Sequence, residues 1–152
     1  MALSDGDLLR NLLGLYCERV DAGDWDGVGD LFADGRLATD DGTVLATGAE
    51  EVAAFYRGIT HLYEGSPRTK HLVADVVIDL VVDDPDGIGR ATVRSSYLVL
   101  QAVDGAVALQ PIVAGRYVDT FDRTADAGWA WRERRFTVDL AGDLSSHLRI
   151  TL

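Results

Sequence analysis

The sequence predicts an α+β domain in which three N-terminal helices close a strongly bent antiparallel sheet, forming a cone-shaped barrel. Three observations support this prediction. Helical periodicity prevails over the first 63 residues, and four long runs rich in β-branched and aromatic residues fill most of the remainder. Short turns separate these runs, which makes neighbouring strands antiparallel. Strands of this length must twist and curl, so we expect the helices to cover the concave face of the sheet and enclose a pocket.

The first helix is predicted from about Asp5 to Ala22, because apolar residues recur at helical spacing and Gly23 can end it. Asp24 can cap a short second helix. A third helix follows a small extended segment and has Glu50 and Glu51 in its first turn. The apolar residues that mark the three helices are Leu8, Leu9, Leu12, Leu13, Tyr16 and Val20, then Trp25, Val28, Leu31 and Phe32, then Val52, Phe55, Tyr56, Ile59 and Leu62.

The extended segments form two groups. A small hairpin around Asp41-Gly42 is predicted from Arg36 to Asp40 and from Thr43 to Thr47. The four long strands are predicted at Thr69 to Val82, Ile88 to Val103, Ala106 to Thr124 and Trp129 to Leu140. The turns between them are predicted at Asp83 to Gly87, Asp104-Gly105 and Ala125 to Gly128.

Composition narrows the function classes. A length of 152 residues with 47% apolar side chains fits a single domain over residues 1–152. The net charge of −11 argues against nucleic acid or a membrane surface as a partner and favours a small, uncharged organic molecule. Cys17 is the only cysteine, no apolar run is long enough to span a membrane, and the acidic N-terminus lacks the pattern of a signal peptide, so we expect a cytoplasmic protein.

The motifs of cofactor and metal sites are missing from the sequence. There is no phosphate-binding loop, no nucleophile elbow and no zinc-ligand spacing, and the acidic residues near position 85 lack the glycine and final glutamate of a calcium loop. We therefore expect no cofactor and no metal.

Tyr16, Asp21 and His71 are the strongest candidates for chemistry. Tyr16 lies at the centre of the apolar stripe of the first helix, where its hydroxyl group either donates to a substrate oxygen or bonds to the backbone as an ordinary core aromatic. Asp21 lies at the edge of that stripe, and strand alternation places His71 on the less apolar face of the first long strand. Sequence geometry alone therefore favours exposed positions for both, although a histidine beside a carboxylate is well suited to proton transfer.

Four further residues are weaker candidates. Asp40 ends the predicted short strand, but it also suits the first position of a turn. Arg116, Arg134 and Arg135 lie in strands that look buried or half-buried, so one of them can balance a buried carboxylate, although a solvated position is commoner. His61 and His147 lie in no comparable setting.

The chain resembles the SnoaL-like branch of the nuclear transport factor 2-like superfamily, which has a cystatin-like fold and includes polyketide cyclases, scytalone dehydratase, bile acid dehydratase and ketosteroid isomerase. The residues that carry the resemblance are Tyr16, Asp21 to Val28, Leu31-Phe32, Gly48, Phe55-Tyr56, Thr69 to His71, Pro111 to Tyr117 and Trp131.

The resemblance implies roles for the candidate residues. In the dehydratases, an aspartate at the end of the first helix pairs with a histidine on the first long strand, and Asp21 and His71 occupy matching places. Tyr16 resembles the tyrosine that donates to the substrate carbonyl. Tyr16 and Asp40 also resemble the tyrosine and aspartate base of ketosteroid isomerase, but the protonated aspartate of that enzyme has no match here.

Two functions are therefore expected from the sequence. The first is an enzyme of dehydratase, isomerase or cyclase type that uses His71 and Asp21 on an enolisable carbonyl substrate in an apolar pocket. The alternative is a non-catalytic ligand-binding or assembly module, such as a dioxygenase small subunit. In either case we expect a homodimer or homo-oligomer formed through the exposed face of the sheet.

Overall fold

The computed structural model describes residues 2–83 and 87–151, and for Asp83 it describes the backbone alone. The helices are α1 (Asp5–Ala22), α2 (Trp25–Leu31) and α3 (Gly48–Ile59). The strands are β1 (Arg36–Thr39), β2 (Val44–Thr47), β3 (Thr69–Asp83), β4 (Ile88–Val103), β5 (Val107–Thr124) and β6 (Gly128–Ala141). The predicted turn at 83–87 includes residues 84–86, which lie outside the described residues.

Local sequence signals set the limits of the first two helices. Ser4 precedes α1, where its hydroxyl accepts a hydrogen bond from the Asp7 amide while the Asp7 carboxylate accepts one from the Ser4 amide. Gly23 ends α1 in the left-handed conformation, with φ of 71°. The Asp24 side chain then accepts a bond from the Gly27 amide at the start of α2. This tight connection leaves Asp21 in the last turn of α1, close to the edge of the sheet.

The α+β fold predicted from the sequence is confirmed as a curled, unclosed sheet of six strands in the order β2-β1-β6-β5-β4-β3. The four long strands are antiparallel to their neighbours, as predicted. The hairpin of β1 and β2 extends this sheet because β1 pairs with β6 in parallel, which the sequence did not predict. None of the helices in the described part of the chain is long and apolar enough to cross a membrane.

A bulge in β3 changes which side chains face the helices. The register of β3 against β4 shifts between Ala74 and Val77, and Asp75 has a positive φ of 52°. His71 therefore faces inward before the bulge, while Val76 and Ile78 pack against the core after it. Strict alternation along β3, which placed His71 on the face opposite Val76 and Ile78, is wrong for this reason.

The core lies between the three helices and the concave face of the sheet. Its largest fully buried side chains are Trp131, Arg134, Phe32, Phe121, Leu9, Leu37 and Ile112. One of these seven is an arginine, Arg134, so the core contains a buried charged side chain at this position.

Candidate active site

A cavity of about 250 Å³ lies between the helices and the open end of the curled sheet. Its apolar wall includes Leu45, Phe55, Ile59, Val99, Val113 and Phe136. Its polar side chains are Tyr16, Thr39, Tyr56, His71, Tyr97, Tyr117, Arg134 and His147. A cavity that is mainly apolar and carries a few converging polar groups is typical of a small-molecule site.

Asp21 and His71 form a hydrogen-bonded pair at the edge of this cavity. The Nδ1 atom of His71 lies 2.6 Å from Oδ1 of Asp21, and the two side chains are 8% and 11% exposed. The His71 amide donates to Oδ2 of Asp21 at 2.9 Å, and the Thr69 hydroxyl donates to Oδ1 at 2.9 Å. The carboxylate is thus fixed by the first residues of β3, and the exposed positions that sequence geometry alone favours for both side chains are wrong.

These contacts stabilise the charged form of Asp21. Burial alone would raise its pKa, but the hydrogen bonds from His71 and Thr69 and the nearby His71 charge outweigh burial and lower the pKa below the ordinary value. When the His71 ring is neutral, an ionised Asp21 favours the tautomer with the proton on Nδ1, which leaves Nε2 unprotonated. Because His71 lines the cavity, this second nitrogen is available as a base.

Two tyrosines lie next to this pair. The hydroxyl oxygens of Tyr16 and Tyr56 are 2.7 Å apart, and the Tyr16 and His71 rings meet edge to face with centroids 6.4 Å apart. Burial raises the pKa of Tyr16 and raises that of Tyr56 well above its usual range, so both phenols stay protonated. One phenol proton bridges the two oxygens, which leaves the other free for a group in the cavity.

Arg134 brings a buried positive charge to the same cavity. Its Nε and Nη2 atoms donate to the two carboxylate oxygens of Asp119 at 2.7 and 2.8 Å, and both residues are at most 1% exposed. The guanidinium carbon lies 4.1 Å from the Tyr16 ring centroid and 3.8 Å from that of Tyr117. The remaining nitrogen, Nη1, is buried and has no hydrogen-bond partner among the described residues.

The sequence candidates therefore separate into two groups. The structure brings Tyr16, Asp21 and His71 together, but Asp40 is exposed, does not line the cavity and takes no part in the arrangement. Of the three arginines considered, Arg134 balances a buried carboxylate. Arg116 pairs with Asp139 at the surface, where both are exposed.

Sequence reasoning found three of the eight polar residues of the cavity and missed five, of which Tyr56 and His147 are the most relevant to the site. The sequence places Tyr56 in the apolar stripe of α3 and in the family resemblance but gives no sign that its hydroxyl pairs with that of Tyr16. His147 was given no setting, yet it is 8% exposed and lines the cavity. The signal available for His147 was weak, because it follows the last strand in a short polar segment that has no periodicity.

Comparison with known proteins supports the fold and the family. A sequence profile of the SnoaL-like domain matches residues 1–135. No curated protein matches the chain.

Three similar solved structures illustrate the likeness. The first is a variant of Rv3472 from Mycobacterium tuberculosis, a protein of unknown function, with 26% identity over 86% of this chain and 74% of that one and a TM-score of 0.65. The second is an NTF2-like protein with a cystatin-like fold from Novosphingobium aromaticivorans, with 23% identity, 93% and 86% coverage and a TM-score of 0.68. The third is ActVI-ORFA from Streptomyces coelicolor, with 21% identity, 86% and 95% coverage and a TM-score of 0.65.

Proposed function

Because the chain belongs to the SnoaL-like domain family, we propose that it is a small-molecule enzyme that removes a proton from the carbon next to a carbonyl group. The observation that carries this proposal is the Asp21–His71 pair, with Nδ1 of His71 held 2.6 Å from the carboxylate at the edge of an apolar cavity. This arrangement fixes one ring nitrogen and leaves the other to act as a base.

The first step is proton transfer. Nε2 of His71 takes the α-proton of the substrate, and the electron pair of the broken C–H bond moves into the carbonyl group to form an enolate. The ionised Asp21 stabilises the imidazolium ion that results, because the two side chains are in direct contact.

The enolate oxygen needs hydrogen-bond donors, and the cavity supplies two. One is the phenol proton that the Tyr16–Tyr56 pair does not use internally, and the other is on Nη1 of Arg134. Both donors are held in a water-poor site by packing, so they stabilise developing negative charge without reorganising. Asp119 balances the charge of Arg134 in the resting protein, which suits an uncharged substrate.

Three outcomes follow from the same enolate. In an isomerisation the enolate is conjugated with a second double bond, and the imidazolium ion returns its proton to the far carbon of that system. In a dehydration the bond to a β-hydroxyl group breaks, and the imidazolium proton converts the departing group to water. In a cyclisation the enolate carbon attacks a second carbonyl carbon, the C=O π bond of that carbonyl breaks, and the resulting alkoxide takes the imidazolium proton. We therefore propose a cofactor-independent lyase or isomerase of dehydratase, isomerase or cyclase type. The cavity of about 250 Å³ favours a compact, mostly apolar substrate. We also propose a cytoplasmic location, with which the free Cys17 is compatible.

The test is exchange of α-protons with solvent, because it detects the enolate whatever the final product. Uncharged ketones and aldehydes, including 1-indanone, are incubated with the protein in D2O, and loss of the α-proton signals is followed by NMR. We expect wild type to accelerate exchange of at least one compound and His71→Ala to reduce that rate about 10²- to 10⁴-fold.

His61→Ala is the matched control, since His61 does not line the cavity, and it should exchange at the wild-type rate. Circular dichroism and the unfolding midpoint of each variant check that the fold persists. Equal rates in wild type and His71→Ala, or no acceleration with any compound, would contradict the proposed function.

The second function expected from the sequence was an assembly module, and one observation favours association of this chain. Leu72, Leu98, Ala114 and Leu140 are consecutive partners across β3, β4, β5 and β6, and they form an apolar row on the outer face of the sheet. A homodimer through this face is compatible with an enzyme as well as with a binding module.

A further inference from the structure

The segment that follows β6 is fixed against the rest of the molecule by its backbone. The carbonyl oxygen of Ser146 accepts hydrogen bonds from the Tyr63 hydroxyl at 2.7 Å and from the side-chain Nε2 of Gln101 at 3.1 Å. The carbonyl of His147 accepts a bond from the His61 amide at 2.9 Å, and the Arg149 amide donates to the Ile59 carbonyl at 2.7 Å. The residues on both sides of His147 are thus anchored, which holds its side chain in one place.

The imidazole of His147 is buried in the cavity wall without a partner. The residue is 8% exposed, and its Nδ1 atom has no hydrogen-bond partner among the described residues. Buried polar groups in folded proteins are nearly always paired, so an unpaired one in a cavity wall is suited to a polar group of the ligand. His147 has no bond to Asp21 or His71 and is therefore free of the proposed acid–base pair.

The surroundings of His147 keep its ring neutral. Burial, together with the charges of His71 and His61 and against the opposing Asp21 carboxylate, lowers its pKa from 6.5 to about 4. A neutral imidazole has one N–H donor and one lone pair, and no hydrogen bond from the described residues fixes which nitrogen of His147 carries the proton. A hydroxyl group pairs with either tautomer because it both donates and accepts, whereas a carbonyl or ether oxygen pairs with only one.

We propose that His147 is a specificity-determining residue of the cavity that hydrogen-bonds an uncharged hydroxyl group of the substrate. The inference rests on the proposed function only in taking this cavity as the substrate site. The substrate is then a compact, mostly apolar carbonyl compound that carries a hydroxyl group, which the Tyr16, Tyr56 and Arg134 donors do not contact.

The experiment compares 1-indanone with its 4-, 5-, 6- and 7-hydroxy isomers at pH 6, with dissociation constants measured by NMR titration. Wild type should bind the best hydroxy isomer about tenfold more tightly than 1-indanone, as expected for one additional hydrogen bond. His147→Leu should remove this preference, measured as the ratio of the two dissociation constants in the same variant, while His147→Gln should retain most of it. His61→Leu is the matched control and should behave as wild type.

A second measurement covers the case in which His147→Leu loosens the C-terminal segment. In wild type labelled with [15N]histidine, the best hydroxy isomer should shift the ring signals of His147 more than 1-indanone does. The proposal would be overturned if the preference for a hydroxy isomer persisted in His147→Leu. It would also be overturned if wild type bound all five compounds equally well or bound none of them.

The two proposals fail separately. If neither wild type nor any variant accelerates α-proton exchange while the His147-dependent preference is present, the proposed reaction is rejected and the hydroxyl contact is retained. Exchange that depends on His71, with no His147-dependent preference, would reject the hydroxyl contact alone.

Discussion

Two arginine–aspartate pairs bridge β5 and β6 with nearly the same geometry and differ in where they lie. Arg134 reaches both oxygens of Asp119 at 2.7 and 2.8 Å on the inner face of the sheet, and Arg116 reaches both oxygens of Asp139 at 2.8 and 2.9 Å on the outer face. The inner side chains are at most 1% exposed, whereas the outer ones are 62% and 41% exposed.

The difference teaches that burial, and not pairing geometry, decides how much such a pair contributes to stability and whether its unused donors reach water. Water and salt screen the charges of Arg116 and Asp139, so their pairing contributes little to stability. Arg134 and Asp119 depend on each other because neither charge can be solvated by water. Burial also leaves Nη1 of Arg134 without a hydrogen-bond partner among the described residues, whereas unused donors of Arg116 meet solvent.

The largest expected effect comes from breaking the inner pair. Asp119→Asn keeps the size of the side chain but leaves Arg134 as an uncompensated buried charge, so the free energy of unfolding should fall by about 3–5 kcal/mol. It also weakens the acceptor of the Trp131 indole N–H, which lies 3.0 Å from Asp119. The measurement is urea-induced unfolding followed by tryptophan fluorescence.

Asp139→Asn is the matched change on the outer face, and its unfolding midpoint should equal that of wild type. If Asp119→Asn does not fold, the double variant Asp119→Leu, Arg134→Met, which removes both charges, should recover folded protein. Equal losses in Asp119→Asn and Asp139→Asn would contradict the importance of burial.

The next largest effect concerns a buried and a more exposed histidine, His147 and His61. It is a dependence of the free energy of unfolding on pH. The folded pKa of His147 is lowered to about 4 from 6.5, so the unfolded chain binds a proton more strongly. The contribution of His147 to the free energy of unfolding is therefore fully present above pH 6.5. It falls by about 3 kcal/mol as the pH decreases from 6.5 toward 4. The lowered pKa of Asp21 acts in a separate window, where its contribution is lost only below about pH 4.

Urea unfolding at pH 7, 6, 5 and 4.5 measures this slope. His147→Gln cannot take up a proton and should flatten the slope between pH 6.5 and 4.5, whereas His61→Gln, outside the cavity lining, should leave it nearly unchanged. A His147→Gln slope as steep as that of wild type would show that His147 is not the group that titrates.

The smallest effect on folding is expected on the outer face. Leu72→Lys places a charge in the apolar row that also contains Leu98, Ala114 and Leu140, and Leu72 is already 45% exposed, so the unfolding midpoint should change little. If the predicted homodimer forms through this face, wild type should have the mass of a dimer in light scattering and Leu72→Lys that of a monomer. A monomeric wild type would reject the predicted interface.

Much of the fold was predictable because its signals are local. Gly23 and Asp24 set the junction of α1 and α2, and the short turns at Asp104-Gly105 and 125–128 set the antiparallel order of the long strands. The parallel pairing of β1 with β6 was not predictable, since Arg36 and Glu133 are 97 residues apart and no local pattern joins them.

The arrangement of the candidate site was predictable where one strand or helix sets the position of a side chain and where the family resemblance supplied its partner. Tyr16 follows directly from the apolar stripe of α1, and the Asp21–His71 pair follows from the resemblance. The sequence could not show which of the neighbours Arg134 and Arg135 is buried, because charged residues in a strand do not reveal which of its faces is inside. The position of the buried carboxylate of Asp119 decides it.

The bulge at Asp75 has a consequence for how relatives of this protein are aligned. It divides β3 into a short stretch that carries His71 and a longer stretch that supports the core, with opposite alternation on its two sides. A relative that lacks the bulge would have one residue fewer here, and an ungapped alignment across it would match inward-facing positions with outward-facing ones. Placing the gap at Asp75 keeps the histidine and the core positions in register at the same time.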